Sequence, residues 1–128
     1  MSALAEALVA AQAELPTAIP RDAQGDGYRY LTLDKLIEAT RPILQKHGLA
    51  IVQEPMAVER GDAYVPMLRT TLLHVEGEAQ VNQMPLYLAN KSMQGLGAAI
   101  TYARRYAWQS VLGIAAEEDT DAKDEIPF

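Results

Sequence analysis

The sequence predicts an α+β fold, a compact β-β-β-α core with helices before it and a disordered acidic tail after it. Three observations carry this reading. Apolar residues recur every three or four positions near the N-terminus and again from residue 92 onward. Residues 49–86 are instead rich in Val, Leu, Thr and Tyr and are cut by turn-forming stretches. From Ala115 the chain is acidic, has no periodic apolar face and cannot bury much surface.

Taken in order, Ser2 caps an amphipathic helix whose stripe is Leu4, Leu8, Ala11 and Leu15. Pro16, Pro20, Gly25 and Gly27 then predict a mobile loop over residues 16–27, and Tyr28 and Tyr30 around Arg29 a short extended piece. Thr32 caps a second helix running to about His47, with Leu33, Leu36, Ile37, Ile43 and Leu44 inward, a kink at Pro42 and a stop at Gly48. Leu49–Val58, Ala63–Val75 and Glu78–Leu86 read as three antiparallel strands, joined at Arg60-Gly61-Asp62 and Glu76-Gly77. Ser92 opens a long helix to Leu112, with Met93, Leu96, Ile100, Ala103, Ala107 and Val111 inward and Gly113 at its end. Residues 1–114 thus form one domain and residues 115–128 the tail.

Composition narrows the function. No apolar run approaches the roughly 20 residues that span a bilayer, and the N-terminus lacks a basic region followed by a hydrophobic one, so a soluble protein is expected. With no cysteine and with His47 and His74 far apart, neither a disulfide framework nor a structural zinc is expected. The net charge of -6 argues at first sight against nucleic acid, but Glu117, Glu118, Asp119, Asp121, Asp124 and Glu125 against Lys123 give residues 117–128 a charge of -5. The remainder carries only -1, which leaves room for a local basic stripe.

Gln94-Gly95-Leu96-Gly97-Ala98-Ala99-Ile100 lacks both the third glycine of a dinucleotide fingerprint and the Gly-Lys-Ser/Thr of a phosphate loop, so no nucleotide cofactor is expected. Gly95 and Gly97 read as close-packing positions, while Ser92, Gln94 and the amides at this helix start offer a place for one DNA phosphate. The densest carboxylates lie in the tail, where no rigid scaffold fixes them, so metal-dependent nuclease chemistry is not expected. His47, beside the Gly48 stop, reads as a partner for C-terminal carbonyls, and His74 as a strand-end polar residue.

Thr101-Tyr102-Ala103-Arg104-Arg105-Tyr106-Ala107-Trp108 is the most informative stretch. On a helix Tyr102 and Tyr106 share a face and Arg104 lies one turn before Trp108, close enough to stack on the indole. Arginines interleaved with aromatics suit a single strand, whose phosphates meet cations and whose bases stack on rings. The same pattern also fits helical aromatics in a core with structural or solvated arginines. On the first reading Arg104, Arg105, Tyr102, Tyr106, Gln94, Lys91 and Arg29 are the expected DNA contacts.

The order of motifs over roughly residues 28–121 resembles the Erf (essential recombination function) family. The matching pieces are Tyr28-Arg29-Tyr30-Leu31-Thr32-Leu33, Arg41-Pro42 with Lys46-His47-Gly48-Leu49, Thr70-Thr71-Leu72-Leu73-His74 with Gly77-Glu78, Gln94-Gly95-Leu96-Gly97 leading into Ala99-Ile100-Thr101-Tyr102-Ala103-Arg104-Arg105-Tyr106, and Leu112-Gly113-Ile114 before Glu117-Glu118-Asp119. The resemblance implies a phage annealing protein with a β-β-β-α fold, working in the bacterial cytoplasm, that assembles into rings or helical filaments and pairs complementary single strands without ATP. Trp108 departs from the pattern, standing where a smaller aliphatic residue is expected. Unpaired edges of a three-stranded meander independently favour a homo-oligomer.

Asp124-Glu125-Ile126-Pro127-Phe128 is similar to the acidic tip of bacterial single-stranded-DNA-binding proteins. That similarity implies host replication or repair enzymes as partners, with Phe128 as the apolar anchor. An adaptor or decoy acting through this tip is therefore the alternative to DNA annealing.

Overall fold

The computed structural model describes residues 2–117. The expectations for residues 118–128, including the Asp124–Phe128 tip, lie outside the described residues. The chain runs α1 (Ala3–Glu14), β1 (Ala18–Ile19), β2 (Ala23–Gly25), β3 (Tyr28–Tyr30), α2 (Leu33–Lys46), β4 (Leu49–Arg60), β5 (Ala63–His74), β6 (Ala79–Pro85), α3 (Met93–Leu112) and β7 (Ala115–Ala116). The three long strands form an antiparallel sheet in the order β4-β5-β6, and α3 follows it, so the β-β-β-α core stands as the sequence predicts.

The helices begin where small hydroxyl side chains stop the backbone from leaving its first amides bare. Ser2 Oγ accepts from Ala5 N, Thr32 Oγ1 from Lys35 N, and Ser92 Oγ from Gly95 N. α3 ends at Gly113, whose φ of 72° lies in the left-handed region and frees its N–H for the Gln109 and Ser110 carbonyls. α2 continues through Pro42, which sits on its exposed side.

Strand alternation decides which side of the sheet is covered. Leu68, Thr70, Leu72 and His74 of β5 point to the helices together with Leu49, Ile51 and Gln53 of β4. One core gathers Ala11, Leu15, Leu36, Leu44, Leu49, Leu72, Trp108 and Leu112 between α1, α2, the sheet and the second half of α3. A smaller one joins Leu68, Leu86, Ala103 and Ala107 under the middle of α3. Each fully buried leucine stabilises the fold by about 2 kcal/mol relative to exposure. The opposite face carries Val52, Leu73 and Val81, which are 43%, 39% and 54% exposed, and neither core includes them.

The structure corrects several expectations. Residues 16–27 hold β1 and β2: β1 runs parallel to β7, and β2 forms a hairpin with β3. Asp22 fastens this segment by accepting from both the backbone N–H (2.7 Å) and the hydroxyl (2.6 Å) of Thr32. Ala115 and Ala116, assigned to the tail, form β7, and Ala116 is only 4% exposed. The physical reason is the partner strand, a long-range pairing that local composition does not encode. Met93, expected inward, is 81% exposed, because α3 meets the sheet only from its second turn. The His47 side chain meets the Glu14 carboxylate rather than helix carbonyls, and Lys46 Nζ reaches the same carboxylate at 2.8 Å, tying the ends of α1 and α2 together.

Candidate nucleic-acid interface

Arg105 is the centre of the site, although it is only 7% exposed. Its guanidinium lies over the rings of Tyr30, Tyr102 and Tyr106 at 5.1, 5.1 and 5.2 Å from their centroids. The α3 spacing puts Tyr102 and Tyr106 on one face, with ring centroids 4.7 Å apart, and the β2–β3 hairpin brings Tyr30 across the chain to close the stack. Tyr28 packs against Tyr30 in turn, at 5.6 Å. The cation is thus held by ring quadrupoles in a partly desolvated setting, where such contacts are strongest.

Arg104 points elsewhere. Its Nε donates to Gln53 Oε1 at 3.2 Å, and the Gln53 amide donates back to the Arg104 carbonyl at 3.1 Å and to Thr70 Oγ1 at 3.2 Å. Gln53 therefore clamps both the side chain and the backbone of Arg104 to the sheet. Sequence reasoning missed this residue. The signal was a polar side chain at an inward position of β4, directly opposite another, Thr70.

Arg104 and Arg105 line a cleft of about 480 Å³ with Thr101 of α3, Tyr30 of β3, the capping Thr32, and Leu33, Asp34 and Ile37 of α2. Two cations, two hydroxyls and an aromatic ring converge there. One carboxylate opposes them: the neighbouring Thr32 hydroxyl holds Asp34 below its ordinary pKa, so it stays ionised. The lining side chains carry one excess positive charge, with the Asp22 carboxylate held just behind the Thr32 hydroxyl, a weak field suited to a phosphate diester rather than to a dense anion.

The other expected contacts are placed apart from this centre. Gln94 and the turn residue Lys91 are exposed at the start of α3, roughly 15 Å along the helix from Arg104. Ser92 Oγ already caps α3, and both its N–H and its hydroxyl donate to Asn90 Oδ1. Arg29 is exposed on the β2–β3 hairpin and donates to the Arg21 carbonyl at 3.2 Å. Trp108 is 2% exposed and its Nε1 donates to Thr40 Oγ1 at 2.9 Å. The indole is core, and the expected stacking of Arg104 on it is replaced by that of Arg105 on the tyrosines. Gly95 packs closely, against Asn90 rather than the sheet, whereas Gly97 faces open space. Among the described residues no group of three or more His, Asp or Glu side chains is gathered to hold a metal ion, and no helix is long and apolar enough to cross a membrane.

Compared with known proteins, the chain matches the family model described as the ERF superfamily over residues 4–127. No curated protein and no solved structure matches it.

Proposed function

The chain belongs to the ERF superfamily, a family of phage single-strand annealing and recombination proteins, and on that premise we propose that it binds single-stranded DNA along α3 and anneals complementary strands without ATP or a covalent step. The observation that carries this reading is the arginine cleft. Arg104, held by Gln53, and Arg105, fixed among three tyrosines, both line it. Both cations are oriented before a strand arrives, so little side-chain entropy is lost on binding. Thr101 adds a hydroxyl for a phosphate oxygen, while the Thr32 hydroxyl stays committed to Asp22.

Two cations per chain give weak, salt-sensitive binding. A strand that runs across many copies gains affinity by multivalency, and the uncovered sheet face supports such an assembly. Register puts Val52, Thr71 and Val81 in one row of that face and Met56, Met67 and Pro85 in another, separated by Glu54 and Arg69, which are paired at 3.0 Å. A face of this composition is stabilised by cover from a second copy. The sheet edge is a poorer joint: the pairing register turns the nitrogen of Pro55 in β4 outward, where it removes an edge donor. The Asp124–Phe128 segment is proposed to recruit host enzymes that recognise acidic tips, in the bacterial cytoplasm.

The decisive experiment mixes two complementary labelled oligonucleotides and follows their pairing by energy transfer, with purified full-length protein and no nucleotide. Accelerated pairing is expected, together with a large particle in light scattering. A monomer that binds labelled single strands no better than duplex, and leaves the pairing rate unchanged, refutes the proposal and leaves the adaptor reading.

A further inference from the structure

On the other side of Tyr102 from the arginine cleft lies a second groove, of about 410 Å³, between α3 and the β6–α3 connection. α3 builds it with small side chains: Ala98, Ala99 and Ala103 line it and fill none of it. Its far wall is the connection carrying Tyr87 and Asn90, drawn onto the helix because position 95 is glycine. A Cβ there would stand 2.3 Å from the Asn90 carbonyl and 2.6 Å from its Oδ1, so any other residue displaces the wall.

The groove is apolar within and amphipathic at its rim. Tyr87, 63% exposed, and Tyr102 supply aromatic rings. The Asn90 and Gln94 carboxamides stand at the same opening. Asn90 Oδ1 is engaged by Ser92, which leaves its amino group directed to other partners, and Gln94 is exposed. Lys91 adjoins them, and the first turn of α3 carries no acidic residue. Tyr102 also stacks under Arg105, so one ring joins the groove to the cleft.

We infer that this groove seats one unstacked nucleobase of the bound strand, an inference that rests on the single-strand binding proposed above. Aromatic and aliphatic walls match the π-faces of a base, carboxamides match the donor and acceptor groups of its edge, and the cations on both sides match the flanking phosphates. A phosphate in the arginine cleft and a base in the groove place a strand across α3 at Tyr102. The groove is open to solvent along one side, so a complementary strand can withdraw the base as it pairs. Holding bases apart in this way opposes folding of a strand on itself before annealing.

The test uses full-length protein and a fluorescein-labelled thymidine oligonucleotide containing 2-aminopurine. Fluorescein anisotropy reports binding, and acrylamide quenching of 2-aminopurine reports whether the base is shielded. Binding is expected to shield it. Ala98→Leu, which fills the groove from an exposed position, and Tyr87→Ala, which removes an aromatic wall, should each restore free-strand quenching. Each should weaken binding roughly tenfold, the worth of one stacked base, with the salt dependence unchanged. Arg104→Ala should do the reverse, flattening the salt dependence while the base stays shielded. Anisotropy without shielding, or shielding that survives both groove variants, overturns the groove and leaves strand binding intact. Loss of the oligomer in both variants with shielding retained assigns the groove to a neighbouring copy and also overturns it. Absence of any anisotropy change removes both inferences. Thermal melting identifies a variant that fails to fold, and the other then decides.

Discussion

Replacing Arg105 with Ala should destabilise the protein far more than replacing Arg104, although the two are adjacent in an arginine pair. Arg105 loses three ring contacts at 5.1 to 5.2 Å in a site only 7% exposed. A desolvated cation–π cluster contributes about 2 kcal/mol, and the void left by the stem about 1 kcal/mol more. Arg104 loses one side-chain hydrogen bond, to Gln53 Oε1, worth about 1 kcal/mol, and Gln53 keeps its bonds to Thr70 and to the Arg104 carbonyl. In urea, with a denaturant slope of about 2 kcal/mol/M, Arg105→Ala should lower the unfolding midpoint by about 1.5 M and Arg104→Ala by about 0.5 M. Arg105→Lys should fall between parent and Arg105→Ala, because an ammonium keeps the charge without the flat guanidinium that stacks. Far-ultraviolet circular dichroism and the fluorescence of buried Trp108 should give coincident transitions. An Arg105→Ala midpoint equal to the parent's, or a larger loss from Arg104→Ala, contradicts the tyrosine cage and returns Arg105 to solvent.

Four further outcomes are expected. Trp108→Phe removes the buried bond to Thr40 and should cost about 1 to 3 kcal/mol of stability in thermal melts, while strand affinity per folded molecule is unchanged. The carboxyl of Glu14 is held below its ordinary value of 4.5 by its hydrogen bonds to Lys46 and then His47. A depressed folded-state pKa gives stability that is present above the unfolded value and is lost as pH falls through the folded one. Acid titration of melting temperature should therefore show a steeper fall below about pH 4.5 in the parent than in Glu14→Gln. Deleting residues 118–128 should leave the melting temperature near the parent's, whereas deletion from residue 115 should lower it by removing the β1–β7 pair and the Ala116 packing. The same 118–128 deletion removes five carboxylates and one lysine, so anisotropy at low salt should show tighter single-strand binding if those charges compete with DNA for the arginine cleft.

The amino-acid order by itself determined whatever depends on neighbours along the chain. Ser2, Thr32 and Ser92 capped the helices because a hydroxyl at that position answers amides two or three residues on. Gly113 ended α3 because a left-handed turn favours a residue without Cβ. The shift from helical to alternating apolar spacing after Gly48 marked the sheet, and the ordered motifs from Tyr28 to Asp121 marked the family. Tertiary structure alone decided which of two adjacent arginines is caged. Helical geometry put Tyr102 and Tyr106 on one face, but Tyr30, some seventy residues earlier in the chain, completes the cage only because the β2–β3 hairpin folds over α3. Gln53 meets Arg104, Thr40 meets Trp108, and β1 claims Ala115 and Ala116 from the expected tail, each by the same kind of contact. Local propensity acts over a few residues, whereas these contacts form only once the helices have closed on one face of the sheet, and their cost in chain entropy is offset by burial shared among elements far apart in the sequence.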